Sequence, residues 1–176
     1  MAFFNPSASA ENPGNAKFSY KKYYPVRKLI CSGFKEKFTC DMLIQQVMAI
    51  LRYGDTQPAL VCSLDPLLVS AYSDELDAVM MLRFPNELAE KYGLKVGDRL
   101  VTSNQYVYAH FDDTAPDIHA GEGNTGNYSD FIPVVQLFLA KNDDKIMART
   151  NLFDEVKWAR VAALTEEYRR NYPNTA

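Results

Sequence analysis

The side chains of this protein that could do chemistry are concentrated in residues 110–130, which we call the acidic segment. The segment holds both histidines of the chain, His110 and His119, together with five carboxylates. If the preceding strand continues through Asp112, then His110 and Asp112 point to the same side, as alternate residues of a strand do. Histidine and carboxylate are ligand types that divalent metal ions accept. One interpretation is therefore a small metal-dependent enzyme that uses residues 110–122, with His110, Asp112 and His119 as candidate metal ligands.

A second interpretation, which we favour, is that the acidic segment binds another protein. No Lys or Arg occurs between Arg99 and Lys141, so the carboxylates have no counter-ions nearby in the sequence. Uncompensated carboxylates form a negative patch that attracts and selects a basic surface. A third interpretation is a mobile, solvated loop whose glycines and asparagines only turn the chain. The contact residues that the second interpretation predicts are Asp112, Asp113, Asp117 and Glu122.

Other catalytic patterns have little support in the sequence. A Ser-His-Asp or Cys-His site would have to use His110 or His119, and no Gly-x-Ser-x-Gly motif is present. Gly121, Gly123 and Gly126 have the spacing of a phosphate-binding G-x-G-x-x-G motif, but the neighbouring carboxylates oppose a phosphate. The sequence thus predicts no cofactor, and it leaves catalysis open with the balance against it.

A basic, aromatic stretch occupies residues 17–28, with the sequence KFSYKKYYPVRK. Such aromatic and cationic side chains can stack on bases and neutralise phosphates. However, the whole chain has a net charge of −3, whereas nucleic-acid-binding domains are usually basic. The sequence therefore favours tyrosines that pack at the edge of the core over a nucleic-acid partner. A nucleic-acid site here would use Lys21, Lys22, Arg27 and Lys28.

The cysteines and the apolar runs bear on the compartment. Cys31, Cys40 and Cys62 form no C-x-x-C pair and fit no common zinc-site spacing. We therefore expect buried, unpaired thiols and a reducing compartment. The N-terminus lacks the pattern of a secretory signal, and the longest apolar run, residues 78–82, is too short for a bilayer span. The sequence predicts a soluble, cytoplasmic protein that does not contact membranes.

One short segment of the sequence resembles a segment of known protein families. Residues 92–101, with the sequence YGLKVGDRLV, resemble a helix-to-strand phrase of small β-barrel families that include swapped-hairpin bacterial DNA-binding regulators. The resemblance covers ten residues, and turn chemistry alone explains it. No function is transferred from it.

Hydrophobic periodicity and turn residues predict the elements that position these side chains. A helix over residues 38–53 is expected to end at Gly54 in the left-handed conformation. A meander of strands follows over residues 58–84. The further expected elements are a short helix from Pro85 to Tyr92 closed by Gly93 and Leu94, strands at 99–102, 105–109, 131–140 and 145–149, and a helix over 152–171 capped by Thr150 or Asn151.

This element order predicts an α+β fold, a single domain with a mostly antiparallel sheet and helices packed on one face. Residues 1–16, rich in Ala, Ser, Asn and Pro, are expected to form a flexible arm before the domain at 17–176. The predicted function is a non-catalytic macromolecule-binding module, an adaptor or an immunity-type protein. It would present the acidic segment to a protein with a basic surface. The oligomeric state is left open.

Overall fold

A computed structural model describes residues 10–31, 33–108 and 115–173 of the chain. The helices in these ranges are α1 (Tyr20–Ile30), α2 (Phe34–Met42), α3 (Ile44–Tyr53), α4 (Glu87–Tyr92), α5 (Gln136–Leu139), α6 (Asp143–Met147) and α7 (Glu155–Asn171), with a 3-10 helix at Ala148–Leu152. The strands are β1 (Asp55–Leu64), β2 (Leu67–Ser73), β3 (Ala78–Phe84), β4 (Arg99–Tyr108), β5 (Ile118–Ala120) and β6 (Tyr128–Val135).

The six strands form one antiparallel sheet in the order β5-β3-β2-β1-β4-β6. The predicted meander is confirmed, because short turns join β1 to β2 and β2 to β3, with Ala59 opposite Ala71 in the first pair. On its other side β1 pairs with β4, where Ala59 lies opposite Leu100. The sheet curls until its two ends approach: the amide of Ala115, just before β5, donates to the carbonyl of Ser129 in β6 at 2.9 Å.

Helices cover both faces of this sheet. The largest core combines α1, α3, α4, α5 and α6 with strand residues that include Ala59 and Val61. Leu60, which lies between these two on β1, belongs instead to a core with Val161 and Leu164 of α7. Because successive strand side chains point to opposite faces, α7 lies on the other side of β1 from Ala59 and Val61. The α+β class and the antiparallel sheet are confirmed, and the placement of helices on one face is corrected by α7.

Two predicted helices are also confirmed. In α7 the side chains of Trp158, Val161, Leu164 and Tyr168 are buried, as their helical spacing predicts. The helix is capped by Asp154, whose carboxylate accepts the amide of Lys157, rather than by Thr150 or Asn151. Helix α4 ends as predicted, with Gly93 in the left-handed conformation at φ 61°. The amide of Leu94 then donates to the carbonyl of Ala89 at 2.9 Å.

The helix predicted over residues 38–53 is two helices, α2 and α3, which meet at Leu43. Gly54 is not left-handed but extended, at φ −63° and ψ 154°. Its role is close packing: a Cβ there would lie 2.6 Å from the carbonyl oxygen of Ile50 and 2.8 Å from that of Asn104. The glycine was correctly placed at the helix end, but for a different physical reason.

The strands predicted at residues 131–140 and 145–149 are largely wrong. β6 ends at Val135, and the chain continues as α5, α6 and the 3-10 helix. Residues 134–138 are all buried, including the polar Gln136, and a segment that is buried on all sides shows no period that distinguishes a strand from a helix. Residues of the segment before α1 also make contact with the domain. Gly14 and Ala16 donate backbone hydrogen bonds of 2.8 and 3.0 Å to Gly54 and Leu51, so the described part of residues 1–16 lies against the domain.

The free-thiol prediction is wrong for two of the three cysteines. Cys31, directly after α1, forms a disulfide with Cys40 of α2. Their nine-residue separation gave no such signal, because pairing depends on how the two helices fold back on each other. Cys62 is a buried free thiol, as predicted, and burial raises its pKa. Among the helices that the structure describes, none has both the length and the hydrophobicity that a bilayer span requires.

Candidate functional site

The described part of the acidic segment, residues 115–130, is anchored to the domain by Asp77. This residue ends the turn between β2 and β3 with a positive φ of 41°. Its backbone carbonyl accepts the amide of Gly121 at 2.7 Å, and its carboxylate accepts the amide of Gly123 at 2.9 Å. A Cβ at Gly123 would lie 2.9 Å from the same carboxylate oxygen. The two glycines therefore allow close approach to Asp77, beyond simply turning the chain.

Arg160 of α7 completes the anchor from the other side. Its Nε donates to Oδ1 of Asp77 at 3.0 Å, and its Nη2 forms an ion pair with Oδ2. The hydroxyl of Tyr72 donates to the same carboxylate at 3.1 Å. Burial alone would raise the pKa of Asp77, but the hydrogen bonds from Arg160, Gly123 and Tyr72 outweigh it and hold the pKa below its usual range. The anchor thus joins the acidic segment, the β2–β3 turn and α7 around one ionised carboxylate.

Asp117 and Glu122 project from this anchored segment. Both side chains are exposed, and no Lys or Arg in the described ranges forms an ion pair with either. Asp130 on β6 is half-buried; burial raises its pKa, and the negative charge of Asp117 raises it further. The carboxylates of Asp117 and Asp130 are therefore close enough to repel each other. Asp112 and Asp113, the other predicted contact residues, lie outside the described residues.

The predicted metal ligands are not assembled by the described part of the chain. His119 lies on β5, and its Nε2 is 3.2 Å from Oε2 of Glu167 on α7. Its ring also packs near that of Tyr172, with 6.3 Å between centroids. His110 and Asp112 lie outside the described residues. Within residues 10–31, 33–108 and 115–173, no group of three or more His, Cys, Asp or Glu side chains could hold a metal ion.

Comparison of the chain with known protein families, curated proteins and solved structures gave no match.

Sequence reasoning missed a second carboxylate on the sheet, Asp55, at the start of β1. It is only 3% exposed. Its carboxylate accepts from Gln57 at 2.6 Å, from the hydroxyl of Tyr106 at 3.1 Å and from the amide of Asn12 at 3.3 Å. Burial raises the pKa of Asp55 to about 6, and the charge of Asp74 adds to this effect. No Lys or Arg of the described chain forms an ion pair with Asp55.

Asp55 and Tyr106 are the kinds of side chain that general acid–base catalysis uses, and the hydroxyl of Tyr106 donates a hydrogen bond to the carboxylate of Asp55. The hydroxyl of Tyr106 also lies 3.4 Å from Asp74, and burial together with both carboxylates raises the pKa of Tyr106. Tyr106 is 8% exposed, so neither group of the pair has the access to solvent that a substrate would need. The alternating polar residues Asp55 and Gln57 were the available signal, since a strand that is buried on both faces usually carries apolar side chains.

The basic stretch at residues 17–28 forms most of α1. Its cations do not form a continuous row of unpaired charges, because two of them are in ion pairs. Lys22 pairs with Asp143, and Arg27 pairs with Asp41. Tyr23 is buried, and its hydroxyl donates to Asp41 at 2.9 Å. The predicted packing of tyrosines at the core edge is confirmed for Tyr23, whereas Tyr20 and Tyr24 are exposed.

Proposed function

We propose that this chain is a non-catalytic macromolecule-binding module, an adaptor or an immunity-type protein, that presents the acidic segment to a protein with a basic surface. One observation carries the proposal. Asp117 and Glu122 stay exposed and without cationic partners in the described structure, while Asp77 and Arg160 hold the segment that bears them. A fixed display of unpaired charge is suited to recognition, because little ordering is required when a partner binds.

The electrostatics favour the same conclusion. The nearby cations Lys157 and Arg160 form ion pairs with Asp74 and Asp77 within the domain. The negative charge of Asp117 raises the pKa of Asp130, and within the described residues neither carboxylate forms an ion pair. A lysine or arginine from a partner would relieve the repulsion between the two carboxylates and would also increase the rate of association.

The metal-dependent enzyme that the sequence left open has no comparable support. His119 is the described member of its ligand set, and in the part of the chain that the structure describes it belongs to no group of three or more His, Cys, Asp or Glu side chains that could hold a metal ion. Asp55 and Tyr106 have the groups for acid–base chemistry, but both are buried. No specific observation favours a catalytic alternative.

The proposal is tested by affinity recovery from the native host, using the wild-type chain and the double variant Asp117→Asn/Glu122→Gln as parallel baits. Mass spectrometry of the recovered proteins should reveal a basic partner that the wild type retains and the double variant loses. A matched control is Glu87→Gln/Glu90→Gln, which removes two exposed charges from α4. Equal recovery by all three baits would contradict the proposal.

The cytoplasmic location remains a proposal, and the Cys31–Cys40 disulfide weighs against it, because such bonds persist mainly in oxidising compartments. Thiol labelling of protein taken directly from the native host decides the matter. After denaturation without reductant, a reducing compartment predicts that Cys31, Cys40 and Cys62 are all labelled. Labelling of Cys62 alone would contradict a cytoplasmic location.

A further inference from the structure

A second feature, independent of the acidic segment, is a cavity lined by lysines. Its volume is about 610 Å³, within the range of small-molecule sites. Three separate parts of the chain build it: the start of α1, the end of α4 and the turn between α5 and α6. We call it the lysine cavity, and its lining includes Lys21, Lys22, Lys91, Tyr92, Lys141 and Asp143.

The charge of the lysine cavity is opposite to that of the whole chain. Four lysines face one carboxylate, that of Asp143, in a protein whose net charge is −3. Asp143 pairs with Lys22, so within the described residues Lys21, Lys91 and Lys141 have no ion-pair partner. Three uncompensated ammonium groups around one cavity attract a ligand with several negative charges.

Lys22 is held in place as a binding residue would be. Its side chain is only 13% exposed. Its Nζ donates to the backbone carbonyl of Leu137 at 2.6 Å and to Oδ1 of Asp143. An ammonium group has three protons, so one proton of Lys22 remains available to a ligand. Lys21 and Lys22 lie in the first turn of α1, which contains no acidic residue. Cations at a helix N-terminus interact unfavourably with the helix dipole, so the two lysines are not placed there to stabilise the helix.

Tyr92 brings two of the ammonium groups together. The Nζ atoms of Lys22 and Lys91 lie 5.3 and 5.0 Å from the centre of its ring. Its hydroxyl is buried and has no hydrogen-bond partner among the described residues. Burial raises the pKa of Tyr92 to about 12, and the charge of Asp143 contributes. The hydroxyl therefore stays protonated and can donate a hydrogen bond.

We propose that the lysine cavity binds a small ligand that carries a diphosphate group. Phosphoryl oxygens accept the charge-assisted hydrogen bonds that lysine ammonium groups donate. A diphosphate has several negative charges in a compact volume, which matches three uncompensated lysines and the free proton of Lys22. A small molecule fits this arrangement better than a nucleic acid does, because the four lysines surround one cavity. They are not continued into a row along α1, since its next cation, Arg27, pairs with Asp41 outside the cavity.

The test is calorimetric titration of the full chain with inorganic pyrophosphate. We expect saturable binding to one site. The double variant Lys91→Gln/Lys141→Gln removes two exposed ammonium groups and should bind about tenfold more weakly. The control Lys35→Gln/Lys95→Gln removes two exposed lysines outside the cavity and should bind as the wild type does. Melting temperatures of both variants verify that they are folded.

Three outcomes would overturn the proposal. The first is the absence of saturable binding at millimolar pyrophosphate. The second is an equal loss of affinity in both double variants, which would indicate general electrostatic attraction. The third is tighter binding of a single-stranded oligonucleotide than of pyrophosphate, with loss in Lys91→Gln/Lys141→Gln, which would assign the cavity to a nucleic-acid surface.

Discussion

Asp55, at the start of β1, and Asp77, in the turn between β2 and β3, are both buried. Their surroundings nevertheless shift their pKa values in opposite directions. Both carboxylates accept three or more hydrogen bonds, including one from a tyrosine hydroxyl. The difference is Arg160, which pairs with Asp77. Asp55 has no ion-pair partner among the described residues, and the charge of Asp74 raises its pKa further. At Asp55 the neutral hydrogen-bond donors do not offset the rise in pKa that burial causes, whereas at Asp77 the guanidinium of Arg160 and the other donors together outweigh it.

This comparison separates the roles of the two residues. The ionised Asp77 acts as a connector, because it takes donors from the acidic segment, the β2–β3 turn and α7. Asp55 lies inside the curl of the sheet and links the N-terminal segment to β1 and β4 through Asn12, Gln57 and Tyr106. Removing each carboxylate should therefore change a different part of the molecule.

The largest effect is expected from Asp77→Asn. The amide of Asn has no charge and only one acceptor oxygen. Arg160 therefore loses its ion-pair partner, and the donors that now share two carboxylate oxygens, Gly123 among them, compete for one. Breaking a buried pair costs about 3–5 kcal/mol, and we expect about 3 kcal/mol here because Arg160 is 39% exposed. Chemical denaturation measures the free energy of unfolding. Hydrogen exchange should show faster exchange at residues 118–123.

The matched control is Asp74→Asn. Asp74 lies 3.6 Å from Lys157, and both side chains are 32% exposed. Such a pair contributes about 0–1 kcal/mol. If Asp74→Asn destabilises the protein as much as Asp77→Asn does, the connector role of Asp77 is wrong.

The pH dependence of stability should differ in sign between the two aspartates. The pKa of Asp55 is raised from 3.8 to about 6 in the folded chain, so its contribution is present below pH 4 and is lost as the pH rises to about 6. The loss amounts to about 3 kcal/mol. The pKa of Asp77 is lowered, so its contribution is present above the unfolded pKa and is lost as the pH falls through the folded one.

Urea unfolding of the wild type and of Asp55→Asn, measured from pH 3 to pH 8, tests these signs. The variant should lack the decline in stability between pH 4 and pH 6 and should keep the loss below pH 4. A decline of the same size in both proteins would show that Asp55 is not the titrating group.

A smaller effect is expected from Gly123→Ala. The added Cβ would lie 2.9 Å from Oδ2 and 3.1 Å from Cβ of Asp77. Overpacking of this kind costs about 1–3 kcal/mol. We expect a lowered melting temperature, but a smaller decrease than for Asp77→Asn, because Arg160 keeps its ion pair. An unchanged melting temperature would contradict the close packing of the acidic segment against Asp77.

The fold could be predicted where the signal is local. The turns of the β1–β3 meander and the helical spacing in α7 are readable from neighbouring residues, and both were predicted correctly. The change from β6 to α5 within residues 134–139 was not predicted. Burial on all sides removes the hydrophobic periodicity that distinguishes a strand from a helix. The break at Leu43 was hidden for a related reason, because the apolar spacing of α3 continues into α2.

The site depends on contacts between distant residues, which explains what the sequence could not show. Asp77 and Arg160 are 83 residues apart, and the lysine cavity combines three separate segments. Charge composition did indicate the acidic segment, in which Asp117 and Glu122 are exposed. Their contact with a partner stays a prediction. Composition could not indicate Asp55, which is buried and is contacted by the distant residues Asn12 and Tyr106.

The most direct test of the central claim is the affinity for the recovered basic partner as a function of salt concentration. For Asp117→Asn/Glu122→Gln we predict about tenfold weaker binding, equivalent to about 1.4 kcal/mol, and a smaller dependence of affinity on salt. Glu87→Gln/Glu90→Gln should match the wild type in both respects. Unchanged affinity and unchanged salt dependence in Asp117→Asn/Glu122→Gln would contradict the proposed function.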